Sequence, residues 1–265
     1  MRQNINTTSQ PGDSEPPPQP AQSVEPEKPA KPQKNLYEPY NTPPVLYHAL
    51  RWVTTLIVAV AIHLRVFGLR NVPARGAFII ASNHLAWADI PLVAVRLHRK
   101  VVYMAKEEYF NSRMAWVVRF LGAFPVKRGE GDRQALRTGE EQLKKGNILV
   151  MFPEGTRSRT RTMAKGHAGL GLIALRTGVP VLPVAIWGSE EVFKEFRPRV
   201  TICYGNPIVF KPGDKKITRE DIDEATDLVM RSIASMLPPE YRGVYAEQSP
   251  VTGRATAEDS PDSSE

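Results

Sequence analysis

The stretch "IIASNHLAWADIP", residues 79–91, decides how this chain is read. Three apolar residues lead into Ser82, Asn83 and His84, and Asp89 stands five positions after the histidine. Side chains that share a helix face sit three or four apart, so a spacing of five is not a helical pair. It suits the turn where a buried strand ends and a helix begins. There two side chains converge from different backbone directions.

Outward from this stretch the chain alternates. Strand-like apolar runs stand at "AFIIAS" (77–82), "VVYMA" (101–105), "AFPV" (123–126), "NILVMF" (147–152), "VPVLPVAIW" (179–187) and "RVTICYG" (199–205). Helical patterns fall near 90–98, 112–121, 132–145, 166–177 and 218–237. Strands alternating with helices predict an α/β domain with helices on both faces of its sheet. Such folds place ligands at the carboxyl ends of the strands. "IIASNH" and "LVMFPEGTR" each put polar residues just after a strand, so the two segments are expected to meet. Upstream, "VLYHALRWVTTLIVAVAIHLRVFGL" (45–69) carries Leu46, Leu50, Val53, Ile57, Val60, Leu64 and Phe67 four and three apart, the apolar stripe of a helix.

The ends of the chain differ from this body. Residues 1–44 hold eleven of the 24 prolines and read as a disordered, polyproline-type tail. Residues 246–265, ending "AEDSPDSSE", read as a second, acidic one. Residues 1–43 contain no apolar run of the kind a secretory signal needs. The two tails together carry −5 of a net charge of +7, which leaves +12 on residues 45–245. So basic a body suggests an anionic partner, or simply a surface rich in lysine and arginine. The single cysteine, Cys203, excludes an internal disulfide and a multi-cysteine zinc site.

Four segments hold groups that could do chemistry. A histidine oriented by a carboxylate is the usual base for activating a hydroxyl, but His84 and Asp89 also fit a structural histidine beside a helix-capping aspartate. In "MFPEGTRSRTR" (151–161), Arg157, Arg159 and Arg161 follow a tight Pro-Glu-Gly loop. Guanidinium groups bind phosphate through paired hydrogen bonds, and Gly155 allows close backbone approach. Glu154 there would orient an arginine or bond a substrate hydroxyl. "FPVKRGEGD" (124–132) ends a strand on Lys127 and Arg128, and "GVPVLPVAIWG" (178–188) carries two prolines three apart. A proline inside a strand calls for an edge, a bulge or a special local path.

Taken together, in this order, the four segments resemble the motifs of the glycerolipid acyltransferase family, and within it the 1-acylglycerol-3-phosphate acyltransferases. The Asn-His-x4-Asp motif matches Asn83, His84 and Asp89. Phe-Pro-Glu-Gly-Thr-Arg-Ser matches Phe152 to Ser158 without a gap. "FPVKRG" supplies the basic motif, with Arg128 as its arginine, and "VPVLPVAIWG" the valine-proline strand. The resemblance spans about residues 65–210. It departs at "TRTMA" (160–164), more basic than the turn usual in the family. The resemblance implies a mixed sheet flanked by helices and direct acyl transfer from a thioester of coenzyme A or acyl carrier protein to a lysophospholipid hydroxyl. His84 would be the base and Asp89 its orienting partner. Glu154, Gly155, Thr156, Arg157 and Arg128 would bind the acceptor. It implies no cofactor and no metal.

Substrates of that kind are membrane lipids. The longest uncharged run of helix 45–69, "WVTTLIVAVAI" (52–62), is shorter than the ~20 residues a span needs. The expectation is therefore a helix lying in the interface of an anionic membrane surface, a peripheral or monotopic protein on the cytoplasmic face. Two rivals fit less well. A non-catalytic basic module leaves His84 and Asp89 unexplained, and no aromatic-and-basic motif points to nucleic acid. A serine hydrolase calls for a G-x-S-x-G elbow, and none occurs.

Overall fold

Strands apolar at every position are buried on both faces. β5 (Ile148–Met151) is of this kind, and β2 (Phe78–Ser82) is apolar up to its last residue, Ser82; every residue in both is buried. They lie side by side and parallel, Ala81 opposite Met151. The computed structural model describes residues 44–113, 115–127, 132–211 and 216–247. Residues 1–43 and 248–265, which hold nearly all of both expected tails, and Arg128 lie outside the described residues.

The sheet has seven strands in the order β1-β7-β6-β2-β5-β3-β4. The others are β1 (His63–Phe67), β3 (Val101–Lys106), β4 (Ala123–Val126), β6 (Val181–Trp187) and β7 (Arg199–Tyr204). β6, β2, β5, β3 and β4 run parallel, whereas β7 is antiparallel to β6 and carries β1 parallel to itself. The sheet is therefore mixed, as expected. One face holds α1 (Pro44–Ala61), α2 (Asp89–Leu92) and α3 (Ala115–Phe120), with Val58, Leu92 and Val118 packed on Phe78, Ile80, Val150 and Val184. The other holds α4 (Arg133–Lys144), α5 (Gly169–Thr177) and α6 (Arg219–Met236), with Leu143, Ile173 and Val229 packed on Ile79, Leu149 and Ala185. α6 begins with a capping box in which Thr218 and Asp221 satisfy each other's backbone N–H. Gly171 lets α5 approach α6 closely, because a Cβ there would strike the Ile222 carbonyl.

Two expectations are corrected. The helix expected over 45–69 ends at Ala61, and His63–Phe67 is the edge strand β1, paired with β7 from His63↔Arg199 to Phe67↔Cys203. The pattern expected as a helix over 90–98 is one helical turn, Asp89–Leu92, followed by turns. The proline-bearing run is the interior strand β6. Its ladder with β7 starts at Val184↔Tyr204, and a separate bridge joins Val181 to Ile208. Between these pairs residues 205–207 face only 182 and 183, which is a bulge. Pro183 turns its carbonyl toward Gly205 N–H at the edge of that bulge, so its missing N–H takes nothing from the ladder with β2 and leaves only the reciprocal bond to Gly205 unmade.

α1 leaves part of its apolar surface uncovered. Val58, and Ile62 just beyond the helix, are buried in the core, while Trp52, Val53, Leu56, Ile57 and Val60 are between 52% and 67% exposed. Among the described residues no helix is long and apolar enough to cross a membrane.

Candidate functional site

Adjacent parallel strands release their chains at the same end of the sheet, so the residues after β2 and β5 share one rim. Asn83 makes the exit from β2. Its side-chain amide donates to the Ile186 carbonyl at 2.8 Å and accepts from Ile186 N–H at 2.9 Å. These two bonds hold the departing chain to β6. The next residues wrap around one carboxylate oxygen. Asp89 Oδ2 accepts from Leu85 N–H at 2.6 Å and Ala86 N–H at 2.8 Å, and His84 Nδ1 lies 2.8 Å from it. Facing a carboxylate, Nδ1 carries the proton and donates, which leaves Nε2 as the acceptor. Nε2 has no partner among the described residues. The imidazole stacks on Phe152, the first residue after β5, with centroids 4.1 Å apart. Asp89 is fully buried, and its Oδ1 has no hydrogen-bond partner among the described residues.

Glu154 ties the second segment to the first. Its Oε1 accepts from His84 N–H at 3.0 Å and its Oε2 from Ala164 N–H at 2.9 Å. Ser158 N–H donates to the His84 carbonyl at 2.8 Å. The peptide groups on both sides of His84 are thus fastened to the loop after β5. Glu154 is 4% exposed and faces backbone donors, not the arginines the sequence placed beside it. Burial pushes its carboxyl up from 4.5 to about 7, even though both backbone bonds favour the charged form; the nearby Asp89 charge adds to the rise. Gly155 has φ 67°, and a Cβ there would come within 2.8 Å of the His167 ring.

The three arginines separate. Arg157 is exposed beside the histidine turn, its guanidinium 4.6 Å from the centre of the Trp87 ring. Trp87 in turn meets Tyr109 edge-on at 4.8 Å. Arg161 turns away to Glu191 at 2.7 Å and Glu190 at 3.9 Å. Arg159 and Thr156 are exposed. Arg128 lies outside the described residues, next to Lys127, whose N–H donates to Asp132 at 2.8 Å. Trp87 escaped the sequence reading because it lies between two motif residues and belongs to neither. Its signal was a large aromatic inside the turn between His84 and Asp89. Among the described residues no three His, Cys, Asp or Glu side chains gather as a metal-binding group.

Known proteins resemble this chain in sequence and in fold. Residues 63–187 match the family described as Acyltransferase. A 1-acyl-sn-glycerol-3-phosphate acyltransferase of Bacillus subtilis is 33% identical over 152 residues, 55% of this chain and 73% of the relative. A lyso-ornithine lipid O-acyltransferase of Pseudomonas aeruginosa is also 33% identical, over 51% of this chain and 51% of the relative. The crystal structure of the 1-acyl-sn-glycerophosphate acyltransferase PlsC from Thermotoga maritima superposes with a TM-score of 0.54 at 26% identity, covering 73% of this chain and 79% of that one. With its mixed sheet, and with the segments after β2 and β5 meeting at one rim, the chain belongs to the 1-acyl-sn-glycerol-3-phosphate acyltransferase family.

Proposed function

We propose that this acyltransferase esterifies the free hydroxyl of 1-acylglycerol 3-phosphate and yields phosphatidic acid. The donor is an acyl thioester of coenzyme A or acyl carrier protein. The observation that carries this reading is the buried Asp89 holding His84 Nδ1, with Nε2 left as an unpartnered acceptor. In the forward step Nε2 takes the hydroxyl proton as the oxygen attacks the thioester carbon. Asp89 stabilises the imidazolium that forms. The tetrahedral intermediate then expels the thiolate, which takes the proton back from Nε2–H and leaves as the thiol. No acyl-enzyme is needed, because the acceptor supplies the nucleophile.

Arg157, held over Trp87 beside that turn, offers paired donors to the acceptor phosphate, and Arg128, which lies outside the described residues, is assigned the same task from the resembled motif. Thr156 and Gly155 border the acceptor. Glu154 acts through the backbone as a positioning residue. The enzyme works as a peripheral or monotopic protein on the cytoplasmic face of an anionic membrane, with the exposed apolar face of α1 in the interface.

A second reading has a specific observation behind it. The Pseudomonas relative is named for lyso-ornithine lipid, an acceptor without a phosphate. Purified enzyme should be given an acyl thioester with either 1-acylglycerol 3-phosphate or lyso-ornithine lipid. The phosphate acceptor should be used with the higher kcat/KM, and His84→Ala should lower kcat about 10²–10⁴-fold. Preference for lyso-ornithine lipid would replace the acceptor assignment, and wild-type turnover by His84→Ala would end the assignment of the base.

A further inference from the structure

Away from the histidine turn, a cleft of about 500 Å³ opens between α1 and the β1/β7 edge of the sheet. Thr55 and Val58 of α1 form part of one wall. Arg65 of β1, Arg96 after α2, and Arg197 and Arg199 at the start of β7 also line it, and no acidic side chain does. All four arginines are exposed, and none has an acidic partner among the described residues. Like charges gathered without counter-charges repel one another. An anionic ligand relieves that repulsion, and guanidinium forks match the oxygens of a phosphate.

Two further observations say what brings the anion. Arg197 is held at φ 55°, in the left-handed region that favours glycine. The other described non-glycine residue in that region, Arg161, is secured by Glu190 and Glu191, whereas Arg197 has no such anchor. Backbone strain of this sort clusters at ligand clamps. The loop leading to it exposes Phe193 and Phe196, at 82% and 90%, and the α1 wall of the cleft belongs to the helix whose other side exposes Trp52, Leu56, Ile57 and Val60. Exposed aromatic and aliphatic groups around a basic cleft fit a bilayer surface, with acyl chains against the apolar groups and phosphates at the arginines.

We propose that this cleft binds the phosphate headgroup of an anionic bilayer lipid that is not itself the acceptor, and so docks the enzyme. β7 begins beside Trp187, the carboxyl end of β6, so the cleft sits at the same end of the sheet as His84. β1 and β2 are three strand spacings apart, roughly 14 Å. A lipid held there turns the reaction rim toward the same membrane face. The inference rests on the interfacial reading of α1, and it is separable from the acyl-transfer reading.

The test is sedimentation of the full-length enzyme with phosphatidylcholine vesicles, with and without about one third phosphatidylglycerol. Near an anionic surface each arginine contributes about fivefold in partition. The wild type should bind the anionic vesicles at least tenfold more tightly, and R65Q/R96Q/R197Q/R199Q should abolish that preference. Arg96→Gln and Arg197→Gln alone should each lower it about fivefold. A control that removes as many charges from α4 and its C-terminus, R133Q/R137Q/K144Q/K145Q, should keep it. In neutral detergent micelles the cleft variant should retain wild-type kcat and acceptor KM.

Four results would each overturn the proposal. The wild type could show no preference for anionic vesicles. Cleft and control variants could fall equally, which would mean diffuse charge. The cleft variant could raise acceptor KM in micelles, which would make the cleft part of the acceptor site. Inorganic phosphate could raise the wild-type Tm through the four arginines while vesicle charge has no effect, which would make a free anion the ligand. Absence of acyl transfer in micelles would sink the proposed reaction and leave the partition result standing.

Discussion

Asp89→Asn separates the charge of the carboxylate from its shape. In the native turn three donors converge on Oδ2: His84 Nδ1, Leu85 N–H and Ala86 N–H, at 2.6–2.8 Å. The other oxygen is buried and unpartnered among the described residues. An asparagine amide with its oxygen at the Oδ2 position keeps all three bonds. The flipped amide would aim N–H₂ at two fixed backbone donors and leave both unsatisfied, at about 1–3 kcal/mol each. The amide oxygen is therefore locked inward, and His84 keeps its proton on Nδ1. Only the charge is lost. A charge-assisted hydrogen bond is roughly twice as strong as a neutral one, so the imidazolium loses about 1.5–3 kcal/mol of stabilisation, or about ten- to a hundredfold in kcat. Loss of the correct tautomer would instead cost about 10⁴-fold. Asp89→Ala removes the acceptor altogether, leaves two buried N–H groups unpaired, and should lower stability by about 2–6 kcal/mol. The assay is initial rate at saturating substrates, with Tm measured by circular dichroism. A loss near 10⁴-fold in Asp89→Asn with unchanged Tm would mean that the amide flips, and the argument from the backbone donors would fail.

Two further substitutions probe the acceptor and the membrane. Arg157→Lys keeps the charge but loses the paired donors and the planar contact with Trp87, so acceptor KM should rise about tenfold with donor KM unchanged; equal changes in both constants would reject the assignment. Leu56, Ile57 and Val60 changed together to serine remove side chains that are 59–66% exposed. At about 25 cal/mol per Å², each contributes roughly 1 kcal/mol to an interface, so vesicle partition should fall about a hundredfold while Tm stays within a few degrees. Unchanged partition would remove α1 as the membrane contact.

The sequence showed most where local pattern and burial agree. "ILVM" (148–151) is apolar at every position because β5 lies between β2 and β3 with helices on both faces. The chain from 63 to 67 hid its nature because Leu64 and Phe67 also continue the helical spacing of α1. Strand alternation is present there too, but pairing with β7 decides between the two, and that partner lies 136 positions away. At the site, His84 and Asp89 could be paired from their spacing, because the contact closes within one turn. Glu154 could not be read that way. Among arginines a glutamate looks like an ion-pair partner, yet its two bonds go to the N–H groups of His84 and Ala164, set by the meeting of β2 and β5. That placement yields its own prediction. A carboxyl raised by burial from 4.5 to about 7 stays protonated in the native protein while the unfolded chain has already ionised. The native state then binds more protons across that window, so stability falls as pH rises from 4.5 to about 7 and levels off above it. The gap corresponds to about 3 kcal/mol. Glu154→Gln cannot ionise and loses one of the two acceptors, so it should be less stable than the wild type at pH 5 and should lack this decline. Denaturant unfolding at pH 5 and pH 8 reads both effects. A decline of equal size in the two proteins would assign the titration to another group and leave Glu154 ionised throughout.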